Sequence, residues 1–254
     1  MATKKSSSGR ALVRTVASNH IGDAIFDLLE VAIDGNLSEG VLRDIPIAGT
    51  MVKLARAGIS ISEELFIKKL QRFLSDLSEI PIKDREKLLE QYPDSSDKQA
   101  VLGENLLLAL ERLDDVKKPT ILARFFSAFV RLEINYLTFT RLGRALEKFN
   151  MELLPNLTQF YITKEPFVAS SEEIIHELSL AGLVTVSLQD SGTISGMAAY
   201  RFSELGKAFL RIGFDVEASP QKIADHHSAG AASERLIVDF QKNIARWNDE
   251  NSHS

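Results

Sequence analysis

Between residues 120 and 150 the sequence sets Arg124, Arg131, Arg141, Arg144 and Lys148 against only two acids, Glu133 and Glu147. Arg141, Arg144 and Lys148 follow one another at steps of three and four residues, so a helix would line them along one face. Such a face can grip phosphates or the carboxylates of an acidic protein surface, because guanidinium and ammonium groups form charge-assisted hydrogen bonds with oxyanions. The plainer expectation for the same residues is a solvated helix surface. The nearby Phe125, Phe126, Phe129 and Phe139 fall on apolar stripes and belong in a core, where they are not available to stack on bases.

A second basic group lies in the segment 45–72, where a small-residue apolar stretch with Lys53 and Arg56 leads into Lys68, Lys69 and Arg72. Apolar insertion and basic attraction together would suit an anionic membrane interface, although Glu63 and Glu64 dilute the charge and a bundle would use Phe66, Phe73 and Leu77 equally well. Metal chemistry finds little. Asp34-x-Asn36-x-Ser38 opens like a calcium loop, but Glu39 stands where the turn needs glycine and Ile45 where a bidentate Glu is needed. His226 and His227 beside Asp225 lack a third fixed ligand. Glu104, Glu111 and Asp115 would share one side of a helix, and solvated charge opposite a leucine stripe explains them without acid–base work.

Other chemistry is missing by residue type or spacing. No glycine-rich phosphate loop, G-x-S-x-G elbow or H-E-x-x-H helix occurs, so no enzyme, catalytic residue, metal or cofactor is expected. The 254 residues include no cysteine, which excludes disulfides, thiol nucleophiles and Cys-ligated zinc. With no run near the roughly 18–20 apolar residues that span a bilayer and no signal peptide after Met1–Arg10, a cytoplasmic location is expected. The net charge of −5 argues against a protein that mainly neutralises phosphates. It is unevenly spread: residues 1–150 carry 22 Lys/Arg and 21 Asp/Glu (+1), residues 151–216 carry 4 and 8 (−4), and residues 217–254 carry 4 and 6 (−2).

The elements that must hold these groups are mainly helical. After a flexible start at 1–10, an apolar stripe from Ala11 to Ile33 predicts a helix broken by Asp34-Gly35-Asn36. Ser62 is placed to cap a helix over Glu63–Leu77, Pro81 precedes one over Lys83–Gln91, and Ser96 with Gln99 has capping-box spacing for one reaching Leu113. Pro119 suits the first turn of the next, and Asn135 the cap of another along Phe139, Leu142, Leu146 and Phe149. The pattern then changes. Ser170 and Glu173 make a capping box for a helix ended by Gly182, Leu183–Leu188 has a strand period, Gln189–Gly192 is a turn, and residues to Phe202 return before a helix at Glu204–Ile212. Residues 217–232 form a linker containing Pro220. A last helix at 233–248 aligns Leu236, Phe240, Ile244 and Trp247, a stripe that must dock in cis or on a second copy, and 249–254 fray.

Two resemblances add to this. Ile45-Pro46-Ile47-Ala48-Gly49, followed by Leu65-Phe66-Ile67-Lys68-Lys69-Leu70-Gln71-Arg72-Phe73-Leu74, resembles a group of bacterial helical proteins without an assigned activity. The order helix, Gly182-Leu183, hairpin, Tyr200-x-Phe202-Ser203-x-Leu205-Gly206-x-x-Phe209-Leu210 resembles the C-terminal half of a winged-helix domain. That likeness puts the 171–180 helix in the recognition position, where Glu172, Glu173, His176 and Glu177 would repel DNA. The expected protein is therefore mainly α: a helical domain at 11–150, a winged-helix-like α+β module at 151–216 and a C-terminal helix. The expected role is non-enzymatic and regulatory, with another protein or a second copy as partner. Nucleic-acid binding through 120–150 and peripheral membrane contact through 45–72 are the alternatives.

Overall fold

A computed structural model describes residues 2–26, 61–91, 97–163, 172–187 and 199–216. They are mainly helical, with one small two-stranded sheet. The chain divides into two compact units, Met1–Gly143 and Arg144–Ser254.

The first unit contains α1 (Ala2–Ala17), α2 (Ile61–Ser78), α3 (Ile82–Gln91), α4 (Lys98–Arg112) and α5 (Lys118–Val130), and most of α6 (Tyr136–Lys148). Its centre is α5. Nearly every residue of this helix is buried, including Ile121, Leu122, Phe125, Phe126, Phe129 and Val130, as its all-round apolar sequence requires. Phe126 is a hub, with ring centroids 6.0 Å from Phe73 of α2 and 5.6 Å from Phe139 of α6. Each such ring contributes about 2–3 kcal/mol by burial. Pro119 lies in the first turn as its type predicts, and Asn135 caps α6 by accepting the Thr138 amide at 2.8 Å.

Within 1–10, read as a flexible start, the chain is helical from Ala2: α1 crosses α4 with the two backbones in contact. A Cβ at Gly103 would lie 1.9 Å from the carbonyl oxygen of Gly9, and one at Gly9 would lie 2.3 Å from that of Ala100. Leu12, Val13 and Val16 are buried further along the helix. The single helix expected from Ala11 to Ile33 is interrupted at Ser18–His20, and helix resumes over 21–26. The Ser18 hydroxyl donates to the Thr15 carbonyl (2.8 Å) and accepts from the His20 amide (3.2 Å), competing with the helical ladder. Buried Arg85 secures the break, donating from Nη1 to the carbonyls of Val16 and Ser18, both at 2.8 Å.

One expected cap is displaced: Ser62 lies inside α2, which starts at Ile61. Ser96 lies outside the described residues; α4 starts after Asp97, whose side chain makes no capping hydrogen bond, and Gln99 is buried.

In the second unit a short 3-10 turn (Met151–Leu153) leads to α7 (Leu154–Thr163), α8 (Glu172–Leu180), strands β1 (Val184–Ser187) and β2 (Ala199–Phe202), and α9 (Glu204–Phe214). The strands are antiparallel, pairing Val184 with Phe202 and Ser187 with Ala199. Ser203 caps α9 by accepting the Gly206 amide at 2.8 Å and donates to the Gly182 carbonyl at 2.7 Å, which ties this helix to the turn before β1. Phe202 packs on Phe160 and Tyr161 of α7, and Phe149 meets Phe209 edge-on at 5.2 Å.

The crossing of α1 with α4 gives a direct test. Gly103→Ala is expected to destabilise the protein by about 1–3 kcal/mol, because overpacking outweighs the gain in helix propensity. Gly22→Ala, with open space around its Cβ in a helical segment, should be neutral or stabilising by up to about 1 kcal/mol. Urea denaturation of both variants checks this, and equal midpoints would refute the close crossing.

Candidate functional site

The exposed residues of α6 are Leu137, Arg141, Arg144 and Lys148, a single stripe at steps of four, three and four. Phe139, Leu142, Ala145 and Leu146 are buried on the other side. Tyr136 and Phe139 contact Phe129 of α5, with ring centroids 5.9 and 5.5 Å away, so the inner face of the first turns is committed and the helix cannot rotate. Among the described residues, no ion pair includes Arg141, Arg144 or Lys148. The helix dipole explains a cation at Lys148 in the last turn, but not Arg141 in the middle.

The turn that delivers α6 is strained. Leu132 has φ of 63°, the left-handed conformation that normally falls to glycine. Its amide donates to the Phe129 carbonyl at 3.0 Å and that of Glu133 to Ala128 at 2.9 Å, the two bonds of a Schellman ending. Gly182, with φ of 75°, performs the same task after α8. Leu132 thus stands where glycine would serve better, and its side chain is 67% exposed. Leu137, in the first turn of α6, is 66% exposed.

The structure separates the five cations read from 120–150. Arg124 is half-buried beside the carboxyl of Asp76. Burial holds that carboxyl above its usual range against the pull of Thr120, Arg72 and Arg124. Arg131 is exposed on the turn, and its charge reaches Asp84, whose carboxyl is lowered chiefly by the hydrogen bond from Lys87. Only Arg141, Arg144 and Lys148 form the continuous stripe.

The basic residues of α2 also differ from a shared outward face. Lys69 Nζ donates to the carbonyls of Glu111 and Leu113 at the end of α4, and burial lowers its pKa against the attraction of Asp114 and Glu111. Arg72 Nε donates to Thr120 Oγ1 at 3.0 Å, and Lys68 pairs with Glu64 at 2.7 Å. Two of the three cations therefore serve the fold. Nearby, the ammonium of Lys118 is buried and pairs with the exposed Asp114 at 2.5 Å. Asp115 lies beyond the end of α4, where it accepts the Lys117 amide at 2.7 Å, so the expected alignment with Glu104 and Glu111 on one helix is not built.

On α8 the described exposed residues are Glu173, His176, Glu177 and Leu180, with Ile175 and Leu178 buried beneath. The acidic face expected there is present, and Leu180, 59% exposed, extends it. The exposed leucines escaped the sequence reading, though spacing carried a signal: Leu137 is out of step with Phe139, Leu142 and Leu146. Leu180 follows Glu173 and Glu177 at helical intervals.

Residues 45–60, the Asp34–Ile45 loop, His226 and His227, and the stripe Leu236, Phe240, Ile244 and Trp247 lie outside the described residues. Among those described, no helix is long and apolar enough to cross a membrane, and no three His, Asp or Glu side chains are grouped to hold a metal. No protein-family model, curated protein or solved structure matches this chain.

Leu132→Gly is expected to raise stability by about 0.5–1 kcal/mol, the left-handed penalty less the extra entropy of glycine in the unfolded chain. A higher urea midpoint supports this, and a lower one would show that the Leu132 side chain stabilises the turn.

Proposed function

We propose that the chain is a non-catalytic interaction protein whose α6 stripe docks on an acidic protein surface, while a winged-helix-like module presents an acidic face of its own. The observation that carries this reading is the set Arg141, Arg144 and Lys148, exposed and, among the described residues, without an ion pair, on a helix whose inner side is buried. An anionic partner would supply the missing counter-charges. Leu132 and Leu137 favour protein over nucleic acid as that partner, since exposed leucines gain nothing against a phosphate backbone and much against an apolar patch. The face in the winged-helix recognition position holds Glu173 and Glu177, whose carboxylates repel phosphates.

The test is a photo-crosslinking residue at Leu137 of the full chain in cells. Discrete protein adducts are expected, lost when Arg141→Glu and Arg144→Glu are added and absent when the probe replaces the exposed Val101. Adducts to nucleic acid, or protein adducts indifferent to the charge reversal, would overturn the reading.

A further inference from the structure

The exposed stripe of α6 and that of α8 are complementary in both charge and apolar position. From the N-terminal end of α6 the order is Leu137, Arg141, Arg144, and from the C-terminal end of α8 it is Leu180, Glu177, Glu173. Each set covers eight residues, seven steps apart end to end, about 10.5 Å at the helical rise of 1.5 Å. Laid antiparallel, the two helices set leucine against leucine and each arginine against a glutamate. Lys148 extends beyond Arg144, and His176, four residues from Leu180 as Arg141 is from Leu137, sits beside Glu177 at the level of Arg141. The antiparallel direction also brings the positive end of α6 to the negative end of α8. Both stripes are exposed in one chain, and among the described residues Arg141, Arg144, Glu173 and Glu177 share no ion pair.

Resting on the proposed docking role of α6, we infer that the acidic partner of this face is α8 of a second copy of the chain. The leucines at Leu137 and Leu180 supply the apolar contact, and the arginine–glutamate pairs fix direction and register. A single helix pair of this length buries less than the roughly 1,000 Å² that a stable interface needs. A two-fold pair, α6 of each copy on α8 of the other, would use the contact twice. The association is therefore weak, reciprocal and salt-sensitive, since exposed charges are screened beyond a Debye length of about 10 Å at 0.1 M salt.

Sedimentation velocity on the full chain, over a concentration series at low and high salt, tests this. The wild type is expected to pair at low salt and to dissociate at high salt. Arg141→Glu with Arg144→Glu makes both stripes acidic, and Glu173→Arg with Glu177→Arg makes both basic. Each variant alone should lose association by about tenfold or more. Mixing the two should restore a complex of one copy of each, because every acidic stripe again meets a basic one. Circular dichroism checks folding, and if a reversed variant unfolds, the glutamine versions of the same pairs must each weaken association severalfold. A wild type that stays monomeric overturns the inference, as does association indifferent to the substitutions or a mixture of folded variants that fails to pair. Monomeric wild type alongside charge-dependent protein adducts from Leu137 in cells would discard the second copy as partner while leaving the docking role of α6 in place.

Discussion

The burial of α5 around nearly its whole circumference constrains the helical unit most strongly. A helix carrying Ile121, Leu122, Phe125, Phe126, Phe129 and Val130 has few sides to turn to water, so its neighbours must cover it. α2 contributes Phe73 and α6 contributes Phe139, and both rings converge on Phe126. Rings worth about 2–3 kcal/mol each decide which faces turn inward, since exposed ion pairs contribute only about 0–1 kcal/mol. The outward stripe of α6 is the geometrical remainder of that packing.

Cations of the same type are consequently put to different uses. Lys69 and Arg72 lie on a helix pressed between α4 and α5, so their donors satisfy the carbonyls of Glu111 and Leu113 and the hydroxyl of Thr120. Arg85 does the same for the carbonyls released where α1 ends. Among the described residues, Arg141 and Arg144 have no such task and stay exposed. Lys69 and Arg72 of α2 tie it to its neighbours, whereas the basic residues of α6 face outward.

Much of this was legible in the sequence. The stripes Leu102–Leu113 and Phe139–Phe149, Pro119, the Asn135 cap, the hairpin and the helix after Ser203 all follow from period and cap chemistry. The failures share a cause, which is that local pattern does not show what a distant segment supplies. Gly9 lies in a Ser/Lys-rich start, and its close approach to Gly103, 94 residues on, cannot be read from local pattern. Ser62 has cap spacing but lies inside α2, which begins one residue earlier. Of the candidate site, the spacing of Arg141, Arg144 and Lys148 was readable, whereas the removal of Arg124 by Asp76 and the left-handed Leu132 needed the tertiary structure.

The central claim is that the outer face of α6 is covered by α8 of another copy. Hydroxyl-radical footprinting of the full chain at low and high protein concentration measures this at the side chains concerned. The account requires concentration-dependent protection of Leu137 and Leu180 together, lost at high salt, with the equally exposed Val101 and Val116 unchanged. Constant labelling of Leu137 and Leu180 across the series, or protection at Val101 and Val116 in their place, would contradict it.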